Sequence, residues 1–466
     1  MTTTTNYQRP DADPVSRASS SPPRTRNRTS TILAPLFVFW AVFAWIYYLS
    51  DSVSPGYFGI GVDNFWFDAD VPRYVCQSVD ALANDHWRNK VHPLFSLLVW
   101  PLPNALHAAG IDLIVALRLQ IALVAATGML FLHLTLRALG MTTAVALLLV
   151  GVTATSASVM AWFTIAESYP YTFAALTISL YMLVRSAKRP WSTAGWAGAI
   201  GLAFSVTVSN IALAALAALG ALTLRRAVLA IVLAVAGVAL LAVAQRLLFP
   251  SSGIFFLPSA LQGEANFMRE LTPVRAREVL TIVFAGSFIF PQVQKVFSNG
   301  EYALTVQSAA MPLDALSVIG LVLLAILYAG GLYLLARRLG DALRLLFSAT
   351  GELPREPAAL LAVPVLGGLV FLLALHSVYG KETFLYTGSF LPLLVMVLGV
   401  GLQSAWISKY RLAIPVLACL LAGNVLHNRT VLEQAGSLLQ EAARQPIQPK
   451  MMNRNTCSFV KRNALF

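Results

Sequence analysis

VHPLFSLLVWPLPNALHAA, residues 91–109, decides how this chain of 466 residues threads a membrane. Taken as a span, it inverts every later loop. Pro101 and Pro103 break its helix after about two turns, since proline lacks an amide donor and clashes with the preceding turn. Counting it as a span also places Arg137 on the face that the other interhelical cations avoid. The segment therefore reads as short helices lying on or dipping into the outer membrane face.

Around it the sequence is that of an all-α polytopic membrane protein, with 57% hydrophobic and 12% charged residues, outside the usual make-up of soluble domains. Apolar runs predict about eleven spans, near 31–50, 113–136, 142–163, 170–185, 193–209, 211–224, 227–248, 315–336, 359–378, 384–403 and 411–427. Residues 1–30, rich in Thr, Ser, Pro and Arg, have no apolar periodicity and are expected to form a disordered cytoplasmic tail. The first span follows without a small-residue cleavage site and reads as a retained anchor.

Lys and Arg collect in cytoplasmic loops. The connections expected inside hold Arg137; Arg185, Lys188 and Arg189; Arg225 and Arg226; Arg337, Arg338, Arg344 and Arg355; and Lys409 and Arg411. The short outer connections hold only Lys381. The net charge of +12 thus follows topology and gives no reason to expect nucleic acid. Residues 279–290 are apolar but too short to cross, so 250–314 forms one long outer loop, beside a first outer loop at 51–112. The tail 428–466 is expected on the same side. Cys76, Cys419 and Cys457 are expected to form neither a disulfide framework nor a zinc site.

Ionisable groups gather on this outer side, where they are costly beside hydrocarbon unless they have a task. FWFDADVPRY, residues 65–74, follows the first span, and NDHWRNKVHPLF occupies 84–95. Asp63, Asp68 and Asp70 are candidates for a general base in a partly desolvated cleft; any one alone reads better as a helix cap or a solvated carboxylate, and the group of three favours function. Asp68-x-Asp70 makes a poor metal motif here, and no metal or other cofactor is expected. Arg73, Arg88 and Lys90 suit either phosphate or lipid headgroups. Glu167, His92 and Glu382 are candidates for acceptor binding or site shaping. Lys381 and Arg118 are candidates for a phosphate anion.

An inside N-terminus, an acidic first outer loop, an H-P-L step and a many-span bundle together resemble the GT-C glycosyltransferases, over residues 31–427. The likeness is to members that take sugars from polyprenyl phosphate, such as lipid A aminoarabinose transferases and protein O-mannosyltransferases. In that family an Asp of the first outer loop is the general base, which by position makes Asp70 the first choice, with Asp68 and Asp63 as alternatives. HPLF at 92–95 resembles the family's H-P-P step with Leu94 for the second proline, and the usual neighbouring D-E pair is missing.

The resemblance implies a bacterial inner-membrane enzyme with its active site outside. It would move sugar from a polyprenyl-phosphate donor to a glycan, glycolipid or protein acceptor with inversion, using Lys381, Arg118 and Arg73 on the donor phosphate. A lipid-linked-sugar flippase and a non-catalytic subunit of an envelope polysaccharide assembly are the competing expectations.

Overall fold

The computed structural model describes residues 28–57, 65–257, 264–298, 301–346, 357–404, 407, 411–444 and 457; Asp63 lies outside them. It is mostly helical and carries six helices long and apolar enough to cross a membrane: Ile32–Val53, Leu113–Ala138, Leu224–Leu248, Ala315–Arg344, Ala358–Val378 and Thr383–Leu402. This is a multi-pass membrane protein.

The chain opens with α1 (Arg28–Tyr57) and the short α2 (Val71–Val79). The decisive stretch then forms α3 (Phe95–Val99) and α4 (Pro101–Ala108), of 5 and 8 residues, neither long enough to span. Next come α5 (Leu113–Ala138), α6 (Thr143–Ala154), α7 (Ala157–Trp162) and α8 (Tyr169–Ser186). After α9 (Thr193–Val206), α10 (Asn210–Leu219) and α11 (Leu224–Leu248), a long connection holds α12 (Pro273–Thr281) and an antiparallel hairpin, β1 (Gln294–Ser298) with β2 (Glu301–Thr305). That hairpin is the only departure from an all-helical fold among the described residues. The chain ends with α13 (Ala315–Leu346), α14 (Pro357–Val378), α15 (Thr387–Leu402) and α16 (Ala413–Arg444).

Every apolar run therefore has a helix, but two readings change. The expected span 142–163 is broken at Thr155–Ser156, where the Ser156 side chain caps α7. A break inside a membrane bundle needs partners for its freed backbone groups. Asn428 of α16 donates to Thr155 O at 2.8 Å, and the Ala157 and Ser158 amides donate to Phe288 O and Ser287 O at 3.1 and 3.0 Å. The last helix also runs seventeen residues past its apolar part, to Arg444, and Cys457 is bonded to Cys76 of α2, with Cα atoms 5.5 Å apart. The expectation that the cysteines stay unpaired is thus corrected: residues 381 positions apart meet only in the folded chain.

The core sits around α15, in the most buried of the six candidate spans. It meets α13 at backbone distance. A Cβ on Gly331 would lie 2.0 Å from Val397 O, and one on Gly401 2.2 Å from Leu327 O. Small residues permit this approach and the close packing that holds helices together in lipid.

Candidate functional site

Residues 65–70, just before α2, turn over a box of buried rings. Phe67 is fully buried, with ring centroids 5.0 Å from Trp66, 5.4 Å from Phe384 and 6.0 Å from Trp162. Trp66 Nε1 donates to Ala161 O at 3.1 Å, and Trp162 Nε1 to Phe384 O at 3.0 Å, so the box is fastened to α7 and to the turn that leads into α15. Phe67 (φ 50°) and Asp68 (φ 66°) both take the left-handed conformation, which side-chain-bearing residues seldom adopt unless surrounding structure enforces it. The turn so held places Asp68 in the wall of a cavity of about 490 Å³.

This cavity also collects Asp70, Arg88, Lys90, His92, Glu167 and Glu264, with an apolar lining that includes Phe204, Phe255 and Leu385. Asp70 and Asp68 differ in their ties. Asp70 is ion-paired to Arg73 one turn later, and its amide donates to Glu167 Oε1 at 3.3 Å. The Asp68 carboxylate has no hydrogen-bond or ion-pair partner among the described residues. Burial and the neighbouring Asp70 raise it to about 6, against the lowering pull of Lys381 and Arg269.

Glu167 is buried, and its Oε2 accepts from the Ser168 amide at 2.6 Å. Burial, with Asp70 adding to it, still lifts Glu167 to about 7. His92 Nδ1 lies 2.7 Å from Val206 O; a carbonyl only accepts, so this nitrogen carries the proton. Burial and the nearby Arg88 push His92 down to about 4, making it a neutral imidazole. The cations form a cluster of their own. Arg73, Arg88 and Lys90 all lie over the Trp87 ring, with charged centres 5.4, 5.7 and 5.0 Å from its centroid.

The structure thus brings together Asp68, Asp70, Glu167 and His92, with Arg73 held against Asp70. Arg118 goes elsewhere, bonded to Asp51 at 2.7 Å and stacked on Tyr47 between α1 and α5. Lys381 is exposed and outside the cavity lining, although its charge reaches Asp68. Glu382 is buried just behind the wall, where Thr305 Oγ1 donates to its Oε2 while Oε1 has no partner among the described residues.

Glu264 and Tyr379 were not anticipated, because Glu264 opens a single 3-10 turn (Glu264–Phe267) in the long connection and Tyr379 follows the end of α14, and neither belongs to a periodic segment. Arg275 fastens one of those loops by donating to His376 O, Gly380 O and Lys381 O at 3.1, 2.9 and 3.1 Å. Gly380 is obligatory there, with φ 88° and a would-be Cβ 2.3 Å from the Tyr386 ring.

Glu382 gives a stability prediction. Burial raises it to about 7 from an ordinary 4.5. A folded value above the unfolded one means its contribution is intact below about 4.5 and is lost as pH rises through about 7. Glu382→Gln is expected to raise the melting temperature at pH 8, by up to about 3 kcal/mol of stability, and to change little at pH 5. Equal melting curves at both pH values would show that the buried charge is already compensated.

No family model, curated protein or solved structure matches this chain.

Proposed function

We propose that this protein is a membrane glycosyltransferase that takes a sugar from a polyprenyl-phosphate donor and passes it to an envelope glycan, glycolipid or protein, through a bundle of eleven spans. The observation that carries the reading is the single cavity in which Asp68, whose carboxylate has no hydrogen-bond or ion-pair partner among the described residues, meets Asp70, Arg88, Lys90 and an apolar wall. Such a lining suits a ligand with a polar head and a hydrocarbon tail.

Asp68 is the better general base, because Asp70 is neutralised by its ion pair with Arg73. In the step proposed, Asp68 takes the proton of an acceptor hydroxyl as that oxygen bonds to the anomeric carbon. The carbon–phosphate-oxygen bond breaks, the electron pair leaves with the phosphate, and Arg88 and Lys90 stabilise its charge. Neutral His92 offers a hydrogen bond to a sugar hydroxyl. The Cys76–Cys457 bond supports an outer location for this end of the bundle, since disulfides persist in oxidising compartments.

The test is direct: full-length protein in vesicles, given an isoprenoid-phosphate-linked labelled sugar and envelope extract as acceptor. Labelled acceptor and released isoprenoid phosphate are expected together. Movement of the intact donor across the bilayer without transfer would assign a flippase instead.

A further inference from the structure

Glu264 stands where a ligand's anion would be expected. Its Oε1 lies 3.2 Å from Arg88 Nη1 and 3.1 Å from Lys90 Nζ, and its Oε2 accepts from the Tyr379 hydroxyl at 2.6 Å. Two cations and a hydroxyl gathered on two oxygens of one planar anion is also how a phosphate is held. Burial acts to raise the Glu264 carboxyl, but the Tyr379 hydroxyl, Arg88 and Lys90 outweigh it and hold the group below its ordinary range. It is therefore charged at neutral pH.

The segment that carries this carboxylate is lightly fastened. Beyond Glu264, it is joined to the end of α14 by two backbone bonds, Arg269 N to Val378 O at 2.9 Å and Gly380 N to Phe267 O at 3.0 Å. Phe267 rests on the Tyr379 ring at 6.0 Å. None of residues 264–274 is buried, and Met268 and Leu271 are more than half exposed. A segment with so little buried apolar surface opens at low free energy. Its one ion-paired group among the described residues, the Glu264 carboxylate, makes the contact that an incoming anion would contest.

We infer that residues 264–269 are an exchangeable strap, closed by the Glu264 carboxylate on Arg88, Lys90 and Tyr379, and released when the phosphate of an isoprenoid phosphate takes that place. The inference rests on the transferase reading only for the identity of the ligand; the exchange itself requires no sugar transfer. Ligand affinity is then lowered by the fraction of time the strap is closed, so a strap closed nine-tenths of the time weakens binding about tenfold.

The probe is farnesyl phosphate, with neutral farnesol as control, added to purified full-length protein in detergent. Amide hydrogen exchange at Arg269 and Gly380 is expected to quicken with farnesyl phosphate and not with farnesol. Glu264→Ala should bind farnesyl phosphate about tenfold more tightly than the wild type, its strap amides exchanging fast even without ligand. Unchanged or slower exchange on binding, or equal or weaker affinity in Glu264→Ala, would overturn the strap, as would failure of both proteins to bind. Strap release with no sugar transfer under any condition would uphold the exchange and remove the transferase reading.

Discussion

Replacing Asp68 with Asn is expected to lower sugar transfer about 10²–10⁴-fold, the usual contribution of a positioned general base, while membrane insertion and melting temperature stay at or slightly above those of the wild type. Stability should not fall, because the carboxylate is raised by burial and has no hydrogen-bond or ion-pair partner among the described residues to lose. The wild-type rate should climb as pH passes through about 6 and level off above it, since only the ionised carboxyl accepts a proton. The neighbours supply the control. Asp70 raises Asp68 and Lys381 lowers it, so the residual activity of Asp70→Asn should show its acid limb at lower pH, and Lys381→Met at higher pH. A limb that stays put in both variants belongs to another group. Full activity in Asp68→Asn would return the role to Asp70.

The second large effect concerns the turn that presents this carboxylate. Phe67→Ala empties the centre of the aromatic box and is expected to cost about 3–5 kcal/mol, as for other buried aromatic truncations. Transfer should fall with it, because the left-handed turn at Phe67 and Asp68 is maintained by that packing. Glycine separates the two contributions. It leaves the same void but is at ease with φ near 50°, so Phe67→Gly should be about 1 kcal/mol more stable than Phe67→Ala, the reverse of the usual order. Thermal melting of the two variants in one detergent decides it, and an Ala variant more stable than the Gly variant would mean that the turn relaxes.

How much of this was legible in the sequence depended on whether the controlling interaction was local. Apolar runs of span length locate the helices, and Pro101 and Pro103 mark 91–109 as broken, because both signals act over a few residues. The break at Thr155–Ser156 was missed: GVTATSASVMAW stays apolar or small throughout, and the partner that makes the break tolerable, Asn428, lies far along the chain. Asp68, Asp70, Glu167 and His92, from separate stretches of the sequence, do meet in one cavity. Choosing between the aspartates required more than residue type. The D-x-x-R spacing of Asp70 and Arg73 was there to be read as an ion pair, but the backbone that presents Asp68 is packed against rings from distant segments, Trp162 and Phe384 among them. Arg118 and Lys381 were assigned by depth, which fixes height along the bundle and not direction around it. Glu264 and Tyr379 carry no pattern that would have distinguished them from ordinary loop residues.

The Cys76–Cys457 bond makes most of this polypeptide a covalent circle. Chains are made from the N-terminus onward, so the circle closes only after every helix between the two cysteines has been synthesised. α2, which follows Asp70 and bears Arg73, is therefore locked to the rest of the protein last, and the finished bond records that threading is complete. A cut in any connection between the cysteines leaves the two pieces one molecule until a reductant parts them.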